Sequence, residues 1–200
     1  AVLGLPDAHE VAAQGVNASE RGSMLDEMVP LMRRLWNGET VNHSGTFFQL
    51  SEASVDPLPL QKPLELWFGG TLKGALRRAG QIGDGYIPGL STPNEGAERK
   101  LLVETAASEF NRTIDPEHFG VNLTYSRGSL PRSARDALIQ RRPDVDPDQL
   151  VPSSTDALLE TIDAWVDAGY SKFLLRPVTP PPNWTEELEQ LASEVLSRQS

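Results

Sequence analysis

The sequence predicts an α/β fold in which parallel strands alternate with helices. Short apolar runs of strand length recur near residues 3, 66, 86, 122 and 174. Segments with the apolar spacing of helices separate these runs, which is the pattern of right-handed βαβ units in a parallel sheet. A closed eight-stranded barrel typically needs about 250 residues. The 200 residues of this chain are therefore expected to form a fragment of a barrel, a half-barrel or an open sheet, and we predict a single domain over residues 1–200.

The first two elements are a strand and a helix. Residues 1–5 form an apolar run, and we predict a buried strand there that delivers His9 at its carboxyl end. Apolar residues then recur at steps of three and four over residues 19–36, which predicts a helix. Pro30 lies inside this pattern and lacks the N–H that a helix interior uses, so we expect a kink or a late helix start.

A hairpin and a strand–turn–helix unit follow. Residues 40–50 predict two short strands around a Ser-Gly turn. Residues 64–68 predict a further strand that ends in the turn Gly69-Gly70-Thr71. The apolar residues after this turn have helical spacing, so the turn joins the carboxyl end of a strand to the amino end of a helix.

The second half of the chain repeats the pattern. Strands are predicted over residues 84–87, 119–125 and 172–176, and helices over residues 98–110, from Ser154 or Thr155 to Gly169, and over residues 184–196. In the first of these helices, Leu101, Leu102 and Phe110 are expected to face inward. The sequence of the charged segment 131–143 does not decide whether it forms a helix.

Composition and charge exclude several functions. With 18 basic and 28 acidic residues the chain has a net charge of −10, which disfavours nucleic acid and anionic membranes as partners. The chain has no cysteine, which excludes disulfides, thiolate nucleophiles and Cys-ligated metals. No apolar run reaches the roughly 20 residues of a membrane span, and the first residues lack the pattern of a signal peptide. We therefore expect a cytoplasmic protein.

The Gly69-Gly70-Thr71 turn is the strongest candidate site. The N–H groups of Gly70, Thr71 and Leu72 are expected to be unpaired at the start of the following helix, where the helix dipole favours an anion. Two glycines let the backbone approach a phosphate closely, and the Thr71 hydroxyl can cap the helix or donate to the anion. The alternative is an ordinary tight turn with a threonine cap.

Three further features of the sequence are weaker candidates for a functional role. His9 follows the carboxyl end of a strand and is either a functional group or a solvated loop histidine. No metal site is predicted, because Ala13 stands where a zinc-binding helix beginning at His9 would need its second histidine. The glycine-rich stretch 80–85 precedes a strand, whereas a dinucleotide-binding fingerprint must follow one. Arg176, at the end of the last strand, either holds an anionic group or pairs with a nearby carboxylate.

The order of several short motifs resembles the luciferase-like monooxygenase family. They are Arg21-Gly22, Leu25-Asp26-Glu27, Leu35-Trp36-Asn37-Gly38-Glu39, the hairpin with Gly45 and Phe48, Leu66-Trp67-Phe68-Gly69-Gly70, Gly83-Asp84-Gly85-Tyr86, Asp167-Ala168-Gly169-Tyr170 and Phe173-Leu174-Leu175-Arg176-Pro177 before the Trp184 helix. The resemblance covers nearly the whole chain.

The resemblance implies a TIM barrel that uses FMN or the deazaflavin coenzyme F420, commonly as a homodimer. It places the cofactor phosphate on Gly69, Gly70 and Thr71, and it points to the neighbourhood of His9 as the part of the chain that approaches the cofactor. Residues 1–5 match the fourth strand of the family's barrel. The chain therefore resembles the C-terminal portion of such a barrel, with strands four to eight and a hairpin insertion.

Three functions remain open at this point. The first is an F420-dependent oxidoreductase or monooxygenase acting on a small organic substrate, with FMN as the alternative cofactor and His9 as the candidate acid or base. The second is a truncated, non-catalytic module for cofactor binding or dimerisation. The third is a sugar-phosphate isomerase or aldolase, although Glu65 and Lys172 lie too early in their strands for that chemistry. An incomplete barrel would expose a sheet edge, so we also expect self-association.

Overall fold

The computed structural model describes residues 17 and 19–196, and this part of the chain contains both helices and strands, mostly in the order that the sequence predicts. The helices are α1 (Arg21–Trp36), α2 (Lys73–Ile82), α3 (Pro93–Glu109), α4 (Arg132–Arg141), α5 (Pro147–Leu150), α6 (Thr155–Asp167) and α7 (Trp184–Val195), with a 3₁₀ turn at Pro116–His118. The strands are β1 (Val41–Ser44), β2 (Gln49–Ala53), β3 (Trp67–Gly69), β4 (Gly85–Ile87), β5 (Gly120–Tyr125) and β6 (Lys172–Pro177). The α/β class is confirmed.

The described strands pair in three two-stranded sheets, β1 with β2, β3 with β4, and β5 with β6. The antiparallel pair β1–β2 is the hairpin expected around Gly45. The pair β5–β6 is parallel. The predicted strand at residues 1–5 and the candidate His9 lie outside the described residues, so the total of five barrel strands stays a prediction.

The described residues divide into two compact units, and the first comprises residues 17, 19–86 and 102–114. Its buried apolar side chains come from α1, β1, α2, β4, α3 and the segment after α3, and none comes from β2 or β3. They are Val29, Leu31, Val41, Leu76, Ala79, Tyr86, Val103, Ala106, Ala107 and Ile114. Gly80 of α2 is packed so closely that an added Cβ would lie 2.5 Å from the carbonyl oxygen of Val103 and 2.6 Å from the nitrogen of Ala107. Glycine is therefore required there for close helix packing.

The second unit comprises residues 87–101 and 115–196. Residues 119, 121, 123 and 125 are all buried, which confirms the predicted period of two in β5. Leu123 and Tyr125 pack with Leu158 and Ile162 of α6. Partly buried apolar residues of β6 and α7 complete this core, namely Phe173, Leu175, Leu191 and Val195.

The caps of α6 are those that the sequence predicts. The Ser154 hydroxyl accepts a hydrogen bond from the N–H of Ala157 at 3.2 Å, and Gly169 lies beyond the helix end with φ of +85°. The start of α1 at Arg21, with Pro30 inside the helix, rules out the late start. The charged segment 131–143 forms α4.

The prediction for α3 was wrong in its start and in its buried face. The helix begins at Pro93 rather than near residue 98, because Thr92 and Glu95 form a capping box: the Thr92 N–H donates to Glu95 Oε2 at 2.8 Å. Leu101 and Leu102 are 64% and 49% exposed, whereas Phe110, the third residue expected to face inward, is half-buried just beyond the end of the helix. The smaller residues Val103, Ala106 and Ala107, spaced at i, i+3 and i+4, form the buried face of α3 instead.

Within residues 17 and 19–196, no helix has both the length and the apolar character that a bilayer span needs. That the whole chain is one domain stays a prediction.

Candidate functional site

The turn between β3 and α2 has a backbone conformation that requires glycine. Gly70 has φ of +106°, a value that L side chains rarely adopt. A Cβ added to Gly70 would also lie 2.9 Å from the Cβ of Ala75. The second glycine of the motif therefore allows the chain to turn directly from the end of β3 towards the start of α2.

The amino end of α2 presents backbone donors to solvent. Residues 69–74 are all exposed, and the N-cap residue Leu72 supplies no side-chain cap. The N–H groups of Leu72, Lys73 and Gly74 have no hydrogen-bond acceptor among the described residues. Unpaired N–H groups at the positive end of a helix dipole are the arrangement that binds anions.

The expected threonine cap is absent. Thr71 lies one residue before the N-cap position, and its hydroxyl makes no hydrogen bond to the helix. Of the two roles that the sequence left open for the Thr71 hydroxyl, capping of α2 is therefore excluded, and donation to an anion stays a prediction. The alternative of an ordinary turn closed by a threonine cap fails for the same reason, while the Thr71 side chain remains exposed at the turn.

Lys73 is a further candidate for the site that the sequence analysis did not include. It is the first residue of α2, it is exposed, and no described carboxylate pairs with it. A cation in the first turn of a helix interacts unfavourably with the positive end of the helix dipole. A bound anion would compensate both the lysine charge and the positive helix end. The sequence could have indicated this residue, because Lys73 lies only two residues after the Gly69-Gly70-Thr71 motif.

A hydrogen-bond network supports the turn from beneath. The buried Tyr86 donates through its hydroxyl to the carbonyl oxygen of Gly70 at 2.7 Å. Asp84 Oδ2 accepts from the N–H of Leu66 at 2.9 Å and from Arg33 at 2.7 Å. The Asp84-Gly85-Tyr86 part of the motif therefore holds both ends of β3, which is a structural task.

Arg112 joins this network from a distant part of the chain. Its guanidinium donates to the carbonyl oxygens of Gly80 at 2.8 Å and Gly83 at 2.6 Å. Both acceptors lie at the end of α2, where unpaired carbonyl groups favour a positive charge. Arg112 thus fixes the far end of the helix whose amino end forms the candidate site.

The buried carboxylate in the second unit is part of a structural network. Burial alone would raise the pKa of Glu187, but hydrogen bonds from Tyr125 at 2.5 Å and Arg127 at 2.9 Å outweigh it and hold that pKa below its ordinary value. Burial and the contact with Glu187 raise the pKa of the Tyr125 hydroxyl. Arg127 also pairs with Glu194 at 2.7 Å. These hydrogen bonds and ion pairs connect β5 and the segment after it to α7.

The remaining predicted candidates have different outcomes. His9 lies outside the described residues, so its role as acid or base stays a prediction. Arg176 is exposed at the end of β6, and no described carboxylate pairs with it. Within residues 17 and 19–196, no three His, Asp or Glu side chains come together in an arrangement that could hold a metal ion.

Comparison with known proteins identifies relatives across most of the chain. The sequence profile of the luciferase-like monooxygenases matches residues 5–170. An F420-dependent glucose-6-phosphate dehydrogenase from Beutenbergia cavernae is 24% identical over 91% of this chain and 62% of its own length. The chain thus spans about three fifths of this curated relative.

Solved structures share the fold. An F420-dependent secondary alcohol dehydrogenase in complex with an F420–acetone adduct superposes with a TM-score of 0.76 at 19% identity, over 95% of this chain and 66% of that one. A riboflavin lyase with modified FMN and riboflavin superposes with a TM-score of 0.68 at 14% identity, over 94% of this chain and 60% of that one. At these identities the likeness concerns the fold alone.

Proposed function

The chain belongs to the luciferase-like monooxygenase family, and we propose that it is an F420-dependent oxidoreductase that acts on a small organic substrate. The observation that carries the proposal is the open glycine turn at the amino end of α2, which offers backbone donors and a lysine to an anion. The family's cofactors, F420 and FMN, both carry a phosphate. When bound, such a cofactor supplies the hydride or oxygen chemistry, and the protein supplies binding and orientation.

The residues of the turn fit a phosphate. The left-handed conformation of Gly70 opens the backbone, and a side chain at this position would meet Ala75. The N–H groups of Leu72, Lys73 and Gly74 would donate to phosphate oxygens. The Thr71 hydroxyl and the Lys73 ammonium group would add one further donor and one charge. Gly69, Gly70 and Thr71 therefore remain the proposed cofactor-binding residues, and Lys73 joins them.

F420 is preferred over FMN because of the relatives. The curated relative from Beutenbergia cavernae and the alcohol dehydrogenase structure are both named as F420-dependent. The riboflavin lyase structure contains modified FMN and supports FMN as the alternative. The proposal also includes His9 as the acid or base, a homodimeric assembly and a cytoplasmic location.

A non-catalytic module for cofactor binding is the second candidate. The chain spans about three fifths of its curated relative, and turnover needs a complete pocket for cofactor and substrate. Both candidate functions require a cofactor phosphate at the same turn, so a cofactor-binding measurement tests this common requirement. A hydride-transfer assay distinguishes the two, because only the oxidoreductase would show turnover.

The test is a fluorescence titration of the purified chain with F420 and, separately, with FMN. The critical variant is Gly70→Val, which places a branched side chain at a left-handed residue. Gly128→Ala is the matched control, because Gly128 lies outside the turn and an added Cβ there meets no atom within 4 Å. We expect saturable binding of F420 that Gly70→Val abolishes and Gly128→Ala retains, with both variants shown to be folded by circular dichroism. Equal binding by Gly70→Val and the unchanged chain would contradict it.

A further inference from the structure

One face of the parallel pair β5–β6 is open and polar. The register pairs Asn122 with Leu174 and Thr124 with Arg176. Residues paired in this way on neighbouring parallel strands point to the same side of a sheet, about 4.8 Å apart. Asn122, Leu174 and Arg176 are exposed, while the residues that alternate with them pack in the core with α6 and α7. The pair therefore presents an accessible face with mixed polar and apolar character.

The polar groups on this face have unused hydrogen-bonding capacity. No described residue forms a side-chain hydrogen bond or ion pair with Asn122, Thr124 or Arg176. This is unusual in a chain of net charge −10, since most other described arginines are paired with a carboxylate. Arginines 33, 34, 77, 78, 99, 112, 127, 132, 135 and 142 all form such pairs.

The position of Arg176 and Thr124 is also informative. Both lie one residue before the carboxyl ends of their parallel strands, and this edge of a parallel α/β sheet is where such folds bind ligands. At the opposite end of β6, Lys172 is paired with Glu117. Arg176, the cation of this strand that has no carboxylate partner among residues 17 and 19–196, is thus at the edge where a ligand would bind.

We propose that Arg176 and Thr124 bind an anionic group, a carboxylate or a phosphate, of the small substrate. A guanidinium presents a planar fork of donors that matches two anionic oxygens, and the neighbouring hydroxyl supplies a further donor. Leu174 and Asn122 on the same face would contact the apolar and polar parts of the same molecule. This inference rests on the proposed function for the existence of a substrate, but the anion site itself can be tested without a cofactor.

A cofactor phosphate is the other source of an anionic group. The proposed function already assigns that phosphate to residues 69–74, where backbone donors are available. Arg176 is then left for the substrate. The two assignments differ in their consequences, because loss of Arg176 weakens cofactor binding only if the cofactor supplies the anion.

The test is a titration of the isotopically labelled 200-residue chain with inorganic phosphate and with acetate. Nuclear magnetic resonance follows the Arg176 side-chain Nε–H separately from the backbone amides of residues 69–74. The critical variant is Arg176→Gln. Arg141→Gln is the matched control, because Arg141 is exposed on α4 and no described carboxylate pairs with it.

We expect a saturable shift of the Arg176 signal with at least one of the two anions. Arg176→Gln should weaken binding at this face, followed through the amides of residues 124 and 176, by about tenfold or more, while Arg141→Gln leaves it unchanged. The anion site would be overturned if the Arg176 signal shifted linearly with anion concentration, without saturation and to the same extent as the Arg141 signal.

Titration of the same variants with F420 identifies the source of the anion. Unchanged F420 affinity in Arg176→Gln supports a substrate anion, and a loss of affinity would overturn that assignment in favour of the cofactor. If the unchanged chain binds neither F420 nor FMN while Arg176 still binds phosphate, the proposed function fails and the anion site stands.

Discussion

The Tyr86 hydroxyl donates a hydrogen bond to the carbonyl oxygen of Gly70, 16 residues earlier in the chain, at 2.7 Å. Tyr86 is completely buried, so the bond is protected from water and fixes the orientation of the Gly70 peptide. The next peptide groups along the chain carry the exposed donors at the start of α2. The shape of the candidate phosphate site therefore depends on a side chain that does not itself reach the ligand.

Tyr86→Phe should weaken cofactor binding and lower stability together. Removing the hydroxyl leaves the Gly70 carbonyl oxygen without its hydrogen-bond donor, at a cost of about 1 kcal/mol in the free energy of unfolding. Tyr170→Phe is the control, because the Tyr170 hydroxyl also donates to a glycine carbonyl, that of Gly96, at 3.0 Å in the second unit. Chemical denaturation and the F420 titration measure both effects. A similar loss of F420 affinity in the two variants would show that the Tyr86 contact has no special role in the turn.

Two glycines of α2 should respond in opposite ways to alanine. Gly80→Ala forces a Cβ against the backbone of α3 and should cost about 1–3 kcal/mol. Gly74→Ala meets open space and should stabilise the helix by up to about 1 kcal/mol. Urea denaturation of both variants gives the two free energies. The close-packing account would be wrong if Gly80→Ala were as stable as Gly74→Ala.

Glu27 should make the hairpin sensitive to acid. Its carboxylate accepts from the N–H groups of Thr46, Phe47 and Phe48 at 3.0–3.1 Å and contacts His43 Nε2 at 2.9 Å. Desolvation opposes ionisation, but these hydrogen bonds outweigh it and hold the pKa of Glu27 below its ordinary value. A carboxyl whose pKa is lower in the folded state stabilises the fold above its unfolded pKa of about 4.3, and this stabilisation is lost as the pH falls through the folded value.

Glu27→Gln should therefore remove part of the dependence of stability on pH. The variant should be less stable than the unchanged chain at pH 7, and the difference should shrink between about pH 5 and pH 3. Glu98→Gln, which removes an exposed carboxylate on α3 with no described partner, is the control of equal charge. Denaturation curves at several pH values give the free energy of unfolding as a function of pH. The prediction would be refuted if this free energy depended on pH in the same way for Glu27→Gln and the unchanged chain.

Glu187→Gln should destabilise the second unit. The buried carboxylate accepts from both Tyr125 and Arg127, and a neutral amide weakens these charge-assisted bonds at a cost of about 1–3 kcal/mol. Glu189→Gln changes an exposed residue of the same helix and should have little effect. Thermal unfolding followed by circular dichroism compares the variants. An unchanged melting temperature for Glu187→Gln would exclude an energetic role for this network.

Local patterns in the sequence predicted most elements, because the relevant signals lie within a few residues. The alternation over residues 119–125 predicted β5, and Ser154 and Gly169 marked the ends of α6. The buried face of α3 was predicted wrongly because large apolar side chains were expected inside. Close packing at Gly80 requires alanines at that face instead.

The sequence predicted the position of the glycine turn between β3 and α2, and its role as a phosphate site stays a prediction. The glycine motif marked the turn, but Lys73, two residues after the motif, was not among the predicted site residues. Two hydrogen bonds that support the turn connect residues far apart in the sequence. Arg33 and Asp84 are 51 positions apart, and Gly83 and Arg112 are 29 positions apart. Contacts at such separations leave no local pattern, so only the structure could assign the Asp84-Gly85-Tyr86 motif to support of the turn.

The most direct test of the central claim is to map the amide shifts of the labelled chain during titration with F420. We expect the largest saturable shifts at residues 70–74, with smaller changes at Tyr86 beneath the turn. Saturable binding that leaves residues 70–74 unshifted, or the absence of any saturable shift with F420 and FMN alike, would contradict the assignment of the cofactor phosphate to this turn.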